Sequence, residues 1–264
     1  MDILTHAISG VAIASCTSTF TKPSVKGKCK ILAIGLIGGI LPDIDAISMW
    51  SKFDSTIGHL FNLPASGKII YSSKYWYSHH AFFHSLLASV CIGLFILLLI
   101  YLSNFKSNKT LPTTTFIKSN VIYLITFVLA YWAHLAGDLP TPSSSWGGIA
   151  FFWPSGNYIG GYGKIWWWNN YDIFLLILLS IIINLTIPVF IREKRKYVTT
   201  IVLSLTLILI SIQINNREYN YNYSTSKGQY AEMEQKSKEE QKRILGNKLY
   251  SYMAWFDGKM KFYF

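Results

Sequence analysis

The 264-residue chain has three cysteines, Cys16, Cys29 and Cys91, an odd number with no CxxC spacing. That excludes a disulfide framework and a cysteine-built zinc site. Charge is scarce too: Asp, Glu, Lys and Arg make up 14% of the residues, with 13 acids against 24 bases. The net charge of +11 would suit a nucleic-acid binder if the bases formed one aromatic-laced stripe. They are dispersed instead through short connections between apolar runs, which excludes nucleic acid as the expected partner and points to membrane orientation. No internal repeat is visible, so nothing suggests a solenoid. A basic leader is missing as well: MDILTHAISGVA, ahead of Ile13-Ala14-Ser15-Cys16, carries Asp2 and His6, so this segment is expected to be retained.

Apolar residues are what the chain has in excess. They make up 51% of it and cluster over 3–19, 31–50, 82–102, 121–136, 171–191 and 198–214. Several blocks approach the ~20 residues needed to cross a bilayer; the first and fourth are shorter. The expected fold class is all-α, a polytopic helical membrane protein of five to six apolar helices surrounded by membrane lipid. Residues 1–191 would form the membrane-embedded domain, and 192–264 a further span and a polar tail. In the tail Met233, Ile244, Leu245, Leu249 and Met253 recur at near-helical intervals, the pattern of an amphipathic helix resting on the bilayer or on the protein.

Connections 17–30, 103–120 and 192–197 hold eleven basic residues against one acid, Glu193. The alternate connections, 51–78 and 139–170, hold only Lys52, Lys68, Lys74 and Lys164 as bases. The positive-inside rule assigns the first set to the cytoplasm. Running the chain back and forth then brings His6, Asp43, Asp45, His79, His80, His84, His134 and Asp138 to one rim, on the extracytoplasmic face of the cell membrane.

Such groups are costly at membrane depth unless paired, hydrated or bound to metal. Singly each has a plain structural account, a histidine at an interface or a Pro-Asp turn. Together they make a ligand set. His134 and Asp138 are four apart and share a helix face. Asp43 and Asp45 flank Ile44 just after Pro42, where the helix should be interrupted. His79 and His84 are five apart, about 140° around a helix, so both point inward only in a broad site or with the first turn unwound. His80 and His84 share a face more simply, and spacing leaves the choice between His79 and His80 open.

Seven ligands, His6, Asp43, Asp45, His79, His84, His134 and Asp138, are too many for one tetrahedral zinc. They suit two or three divalent ions, with zinc the first candidate. An open multi-metal site generates hydroxide from water near neutral pH and holds phosphoryl or carbonyl oxygens, which points to hydrolysis of a phosphoester or ester, with a membrane lipid as a fitting substrate. His84, His134 and Asp138 are the expected catalytic centre, and His80 and Ser85 the expected substrate contacts. The competing class is a membrane metal-ion carrier. A carrier needs access from both faces, whereas these ligands gather at one.

The stretches MDILTHAISG, GGILPDIDAI, SHHAFFHSLLA and YWAHLAGDLPTPSSSWGGIAFFWPSG resemble, in order and spacing, the LexA-regulated, membrane-bound, predicted metal-dependent hydrolase family, also called the YdjM family or domain of unknown function 457. The resemblance covers about residues 1–191, and WWWNNYDIFLLILL with Asp172 is similar to that family's closing segment. It implies a metal-dependent hydrolase and marks His6, Asp43, Asp45, His79, His84, His134 and Asp138. The family's third motif reads His-Arg-Gly-x-Thr-His-Ser; here it is His79-His80-Ala81-Phe82-Phe83-His84-Ser85. If the arginine grips a substrate anion, His80 replaces it only when protonated. The order of histidines and aspartates is more distantly similar to the zinc-dependent phospholipase C and P1 nuclease class, which implies phosphodiester chemistry.

Segment 139–170 carries Trp146, Trp153, Trp166, Trp167 and Trp168 among six glycines. It reads either as a set of interfacial anchors or as a flexible lid over the metal site.

Overall fold

The computed structural model describes residues 1–21, 24–106, 112–191, 193–218, 220–221 and 229–260; Lys22, Lys109 and Arg192 of the basic connections lie outside them. Eight α-helices are present among the described residues: α1 Ile3–Thr17, α2 Val25–Ile40, α3 Gly67–Ser72, α4 Leu86–Lys106, α5 Thr113–Asp138, α6 Tyr171–Phe190, α7 Arg195–Asn215 and α8 Gln229–Met260. No strand occurs among them, only isolated antiparallel bridges joining Pro142 to Tyr162 and Ile149 to Ile159. The fold is therefore all-helical, as expected for a chain that must satisfy its backbone polar groups inside a bilayer.

Four stretches, Val25–Met49, Leu86–Ser103, Thr114–Asp138 and Arg195–Asn215, are long and apolar enough to cross a membrane, and Ile3–Thr17 and Tyr171–Ile187 are shorter apolar helices. Residue 120 and its neighbours are polar, yet α5 runs 26 residues because the threonines and the Ser-Asn pair stay helical after Pro112; the fourth span is thus longer than hydropathy suggests. On α4 and α7 the residues Leu94, Phe95, Leu98, Ile201, Leu205 and Ile208 face outward, a lipid-facing surface, not a core exposed to water.

α1 is the hub, packed against α2, α5, α6 and α7. At 15 residues it is about 22 Å long, so shelter by its neighbours compensates for its failure to reach across the hydrocarbon. It meets α2 through small residues. A Cβ on Gly10 would lie 2.1 Å from the Gly35 carbonyl oxygen, and one on Gly39 would lie 2.4 Å from the His6 oxygen. Gly35 and Gly39 form a small-xxx-small face of the kind that lets membrane helices approach backbone to backbone. Away from the histidines, hydroxyls bind the bundle: Thr17 to Thr126 at 2.7 Å and Thr19 to Thr199 at 2.9 Å, with Asn184 Nδ2 donating to Ser15 Oγ at 3.2 Å.

The tail forms α8, kinked at Gly246 (φ 72°). It rests on the protein: Met233 packs with Trp166 and Tyr221, and Met253 with Tyr171 and Phe174. A buried polar knot fixes it. Arg217 Nη2 donates to both oxygens of Asp172 at 2.9 Å. Gln241 accepts the Asp172 N–H at 3.0 Å and donates to Asp172 Oδ1 at 2.9 Å. The start of α6, the end of α7 and the middle of α8 are thereby tied together.

Candidate metal centre

Chain alternation brings the start of α1, the end of α2, the entry to α4 and the end of α5 to one end of the bundle. His6 lies in the second turn of α1, which opens with Asp2 Oδ1 accepting the Thr5 N–H at 2.7 Å. After Ile40 the α2 backbone tightens at Pro42 into a 3₁₀ segment, Leu41–Met49. With three residues per turn, Asp43 and Asp45 point in different directions. The entry to α4 is unwound, with a short 3₁₀ turn, Phe82–His84, an extended Ser85, and the helix only from Leu86. His79, His80 and His84 therefore converge from a folded turn, not from a helix face, and both His79 and His80 belong to the cluster.

Four atoms face one another at the centre. His84 Nε2 lies 3.4 Å from His134 Nε2, 3.5 Å from Asp43 Oδ1 and 3.6 Å from Asp138 Oδ2. His134 Nε2 lies 3.6 Å from Asp43 Oδ1 and 3.1 Å from Asp138 Oδ2. Most of these separations exceed the ~2.7–2.9 Å of charge-assisted hydrogen bonds. These five separations are close to the edge of a tetrahedron, about 3.3 Å, around an ion with bonds of ~2.0–2.1 Å. The back nitrogens fix the tautomers. His134 Nδ1 donates to the Gly39 carbonyl at 2.7 Å, and a carbonyl only accepts, so the His134 Nε2 lone pair faces inward. Asp138 Oδ2 is buried without a hydrogen-bond partner. A lone pair and a carboxylate oxygen left facing each other in a buried site are costly without a cation between them. These residues fit a divalent ion.

Asp45 lies one layer behind. Its Oδ1 is 2.6 Å from His79 Nδ1 and its Oδ2 3.2 Å from His84 Nδ1, so one carboxylate orients two imidazoles and turns their Nε2 atoms away from itself. We expect Asp45→Asn to weaken metal affinity about 10- to 100-fold while leaving the fold intact, because an amide oxygen replaces only one of the two acceptors. Chelator competition on the purified variant measures this; an unchanged affinity would show that Asp45 does not orient the ligands.

His6 stacks on His134 with ring centroids 3.7 Å apart and brings Nε2 to 3.0 Å from Asp138 Oδ1. The Met1 amino group sits 2.6 Å from the same oxygen. Three overlapping groups have ligand atoms within 4.8 Å of one another: His84, His134 and Asp138; His6, Asp43 and His134; and His79, His80 and His84. Every residue expected to bind metal is at this centre, with Asp45 as an orienting carboxylate.

The two expected substrate contacts differ. Ser85 is fully buried and committed to its own helix: its Oγ donates to the Phe82 carbonyl at 2.7 Å and accepts the Ala88 N–H at 3.1 Å. It caps α4. His80 lines the cavity above the ligands. It adopts φ +66°, donates from Nδ1 to the Gly148 carbonyl at 3.1 Å, and accepts the Ala150 N–H at its carbonyl at 2.8 Å. Burial, then the neighbouring His79 and His84, hold it well below the ordinary histidine range. His80 is therefore neutral and does not supply an arginine-like charge.

Segment 139–170 is pinned at this rim. Gly148, at φ +115°, allows the Ile159 carbonyl to approach where a Cβ would lie 2.2 Å from it, and Ile149 and Ile159 exchange backbone bonds at 2.8 and 3.0 Å. Trp146 donates from Nε1 to the Tyr71 carbonyl at 2.8 Å and packs its ring against His79 and His80. The tryptophans nearest the site are walls of it, not bilayer anchors. Tyr71, stacked on His79 at 4.6 Å, and Tyr230, from α8, line the same cavity. Sequence reading missed both, since neither lies in a ligand-spaced motif. Burial, reinforced by Asp43 and Asp45, pushes the Tyr71 phenol up, so it stays protonated.

A family model described as YdjM inner membrane protein matches residues 1–218. The match passes Ile191 to take in all of α7 and stops before α8. No curated protein and no solved structure matches the chain. The helical membrane fold, the histidine and aspartate cluster at one end of it, and a match over most of its length agree: the chain belongs to the YdjM inner membrane protein family.

Proposed function

We propose that this protein is an integral membrane, metal-dependent hydrolase that cleaves a phosphoester, or an ester, of a lipid or other membrane-proximal substrate. Zinc is the expected metal, in two or three copies, and the site opens on the extracytoplasmic face by the charge asymmetry of the connections. The observation that carries the proposal is the spacing of Asp43, His84, His134 and Asp138, whose facing atoms are separated by 3.4, 3.5, 3.6, 3.6 and 3.1 Å in five pairs, close to the edge of a tetrahedron around one ion. A divalent ion bound there would supply Lewis acidity and make water more acidic.

The chain's own groups do the rest. Asp45 and the Gly39 carbonyl hold the imidazoles in the tautomer that presents Nε2. Asp43, the least buried of the four at 16% side-chain exposure, faces the cavity that a substrate enters. Tyr71 and Trp146 exclude water from the side of His79. The carrier reading finds less support, because the ligands lie at one end and the interior beyond them is closed by the α1–α2 glycine contact.

Metal analysis of protein purified without chelator, followed by turnover of p-nitrophenyl phosphate, bis-p-nitrophenyl phosphate and p-nitrophenyl esters, tests the proposal. The expected result is at least one divalent ion per chain and hydrolysis that chelation abolishes. Stoichiometric metal with no turnover on any of these ester classes would favour the carrier.

A further inference from the structure

Above the ligands lies a cavity of about 480 Å³ with Asp43, Asp138, His79 and His80 toward its floor. Five aromatic side chains wall it: Tyr71, Trp146, Trp167, Trp168 and Tyr230. Among the described residues no Lys, Arg, Asn or Gln lines it, and the one cation among them, the Met1 amino group, is held by Asp138. These absences discriminate between ligands. A second anionic group would need a basic partner, and a sugar would need carboxamide or similar groups to match its hydroxyls. An alkylammonium group needs neither, since the faces of tryptophan and tyrosine attract it directly.

We propose that this wall is a subsite for the ammonium group of a phosphoester, whose phosphate is directed to the metal floor. Asp2 adds a carboxyl to the lining, but burial pushes its pKa up, so the attraction rests on the rings. Part of the wall comes from outside the family-matched region. Tyr230 stands on α8, beyond residue 218. The same helix also steadies Trp168, whose carbonyl accepts the Ser237 hydroxyl at 3.4 Å, and Gln241 locks it to Asp172. α8 thus supplies part of the wall from beyond the family-matched region. The phosphate half of this inference rests on the hydrolase reading; the ammonium half does not.

The test titrates the metal-loaded full chain in maltoside micelles, following tryptophan fluorescence. The probes are phosphocholine and its uncharged carbon isostere, 3,3-dimethylbutyl phosphate. Phosphocholine is expected to bind about tenfold more tightly. Trp168→Leu and Tyr230→Leu should each move that ratio toward one without altering metal content. Equal binding of the two probes by the unmodified protein, or a ratio unmoved by both variants, would overturn the subsite. Choline and inorganic phosphate separate the two readings. Choline binding where phosphate does not bind sinks the phosphoester reading and keeps the subsite; phosphate binding with no isostere discrimination does the reverse. Tighter binding of dodecylphosphocholine than of phosphocholine identifies a lipid headgroup as the source, and equal binding a soluble phosphoester; both outcomes support the ammonium subsite.

Discussion

Asp138→Asn is expected to strip the centre of metal and cut hydrolysis about a thousandfold or more, the several kcal/mol of charge stabilisation that a bound ion provides. The substitution keeps the shape of the side chain and one oxygen acceptor. The His6 Nε2 contact at 3.0 Å and the Met1 contact at 2.6 Å can therefore persist on Oδ1, and the α5 helix end should not move. What is lost is the charge on Oδ2, the buried atom that faces His84 and His134 and has no hydrogen bond of its own. Metal content measured beside the thermal unfolding midpoint separates the two effects. Metal should fall while the midpoint of the chelated protein stays close to that of the chelated parent. Undiminished metal in the variant would mean that the tetrahedral spacing is incidental.

Gly39→Val should damage the same centre without touching a ligand. The added Cβ would need the space 2.4 Å from the His6 carbonyl oxygen, well inside contact distance, and the obstacle is backbone, which cannot rotate away. Overpacking of a core costs about 1–3 kcal/mol and more where the neighbour cannot yield. We expect a loss of about 3 kcal/mol or more, roughly 10 °C in the unfolding midpoint. Because Gly39 also presents its carbonyl to His134 Nδ1 and lies one helical turn before Asp43, parting α1 from α2 pulls His6, His134 and Asp43 out of register. Metal affinity should fall together with stability. A stable variant with full metal content would show that the helices tolerate the wider spacing.

The parts of this architecture that were legible in the sequence are those set by local periodicity. Apolar blocks gave the four long apolar stretches and the two shorter apolar helices, and the four-residue step from His134 to Asp138 gave a shared face that appears as a 3.1 Å contact. Chain direction alone gathered the remaining histidines and aspartates at one end. Where the backbone leaves the helix, periodicity carries no information. The Phe82–His84 turn and the 3₁₀ path through Asp43 and Asp45 decide which imidazole atoms face the ion, and neither can be read from spacing. Ser85 carries a local signal of its own: a serine three residues before Ala88 at the head of a long helix is a cap. Tyr71 and Tyr230 were invisible for another reason. They come from α3 and α8, and only tertiary packing brings them to the cavity.

The residues gathered at this centre are widely spaced along the polypeptide, His6 and Asp138 being 132 positions apart. A ribosome must therefore have delivered α1 to α4 and nearly all of α5 before the last donors, His134 and Asp138, arrive. Completion of the centre then becomes a late event in biogenesis: a chain stalled before α5 would hold Asp43 and His84 but lack His134 and Asp138, two of the four groups that face one another there.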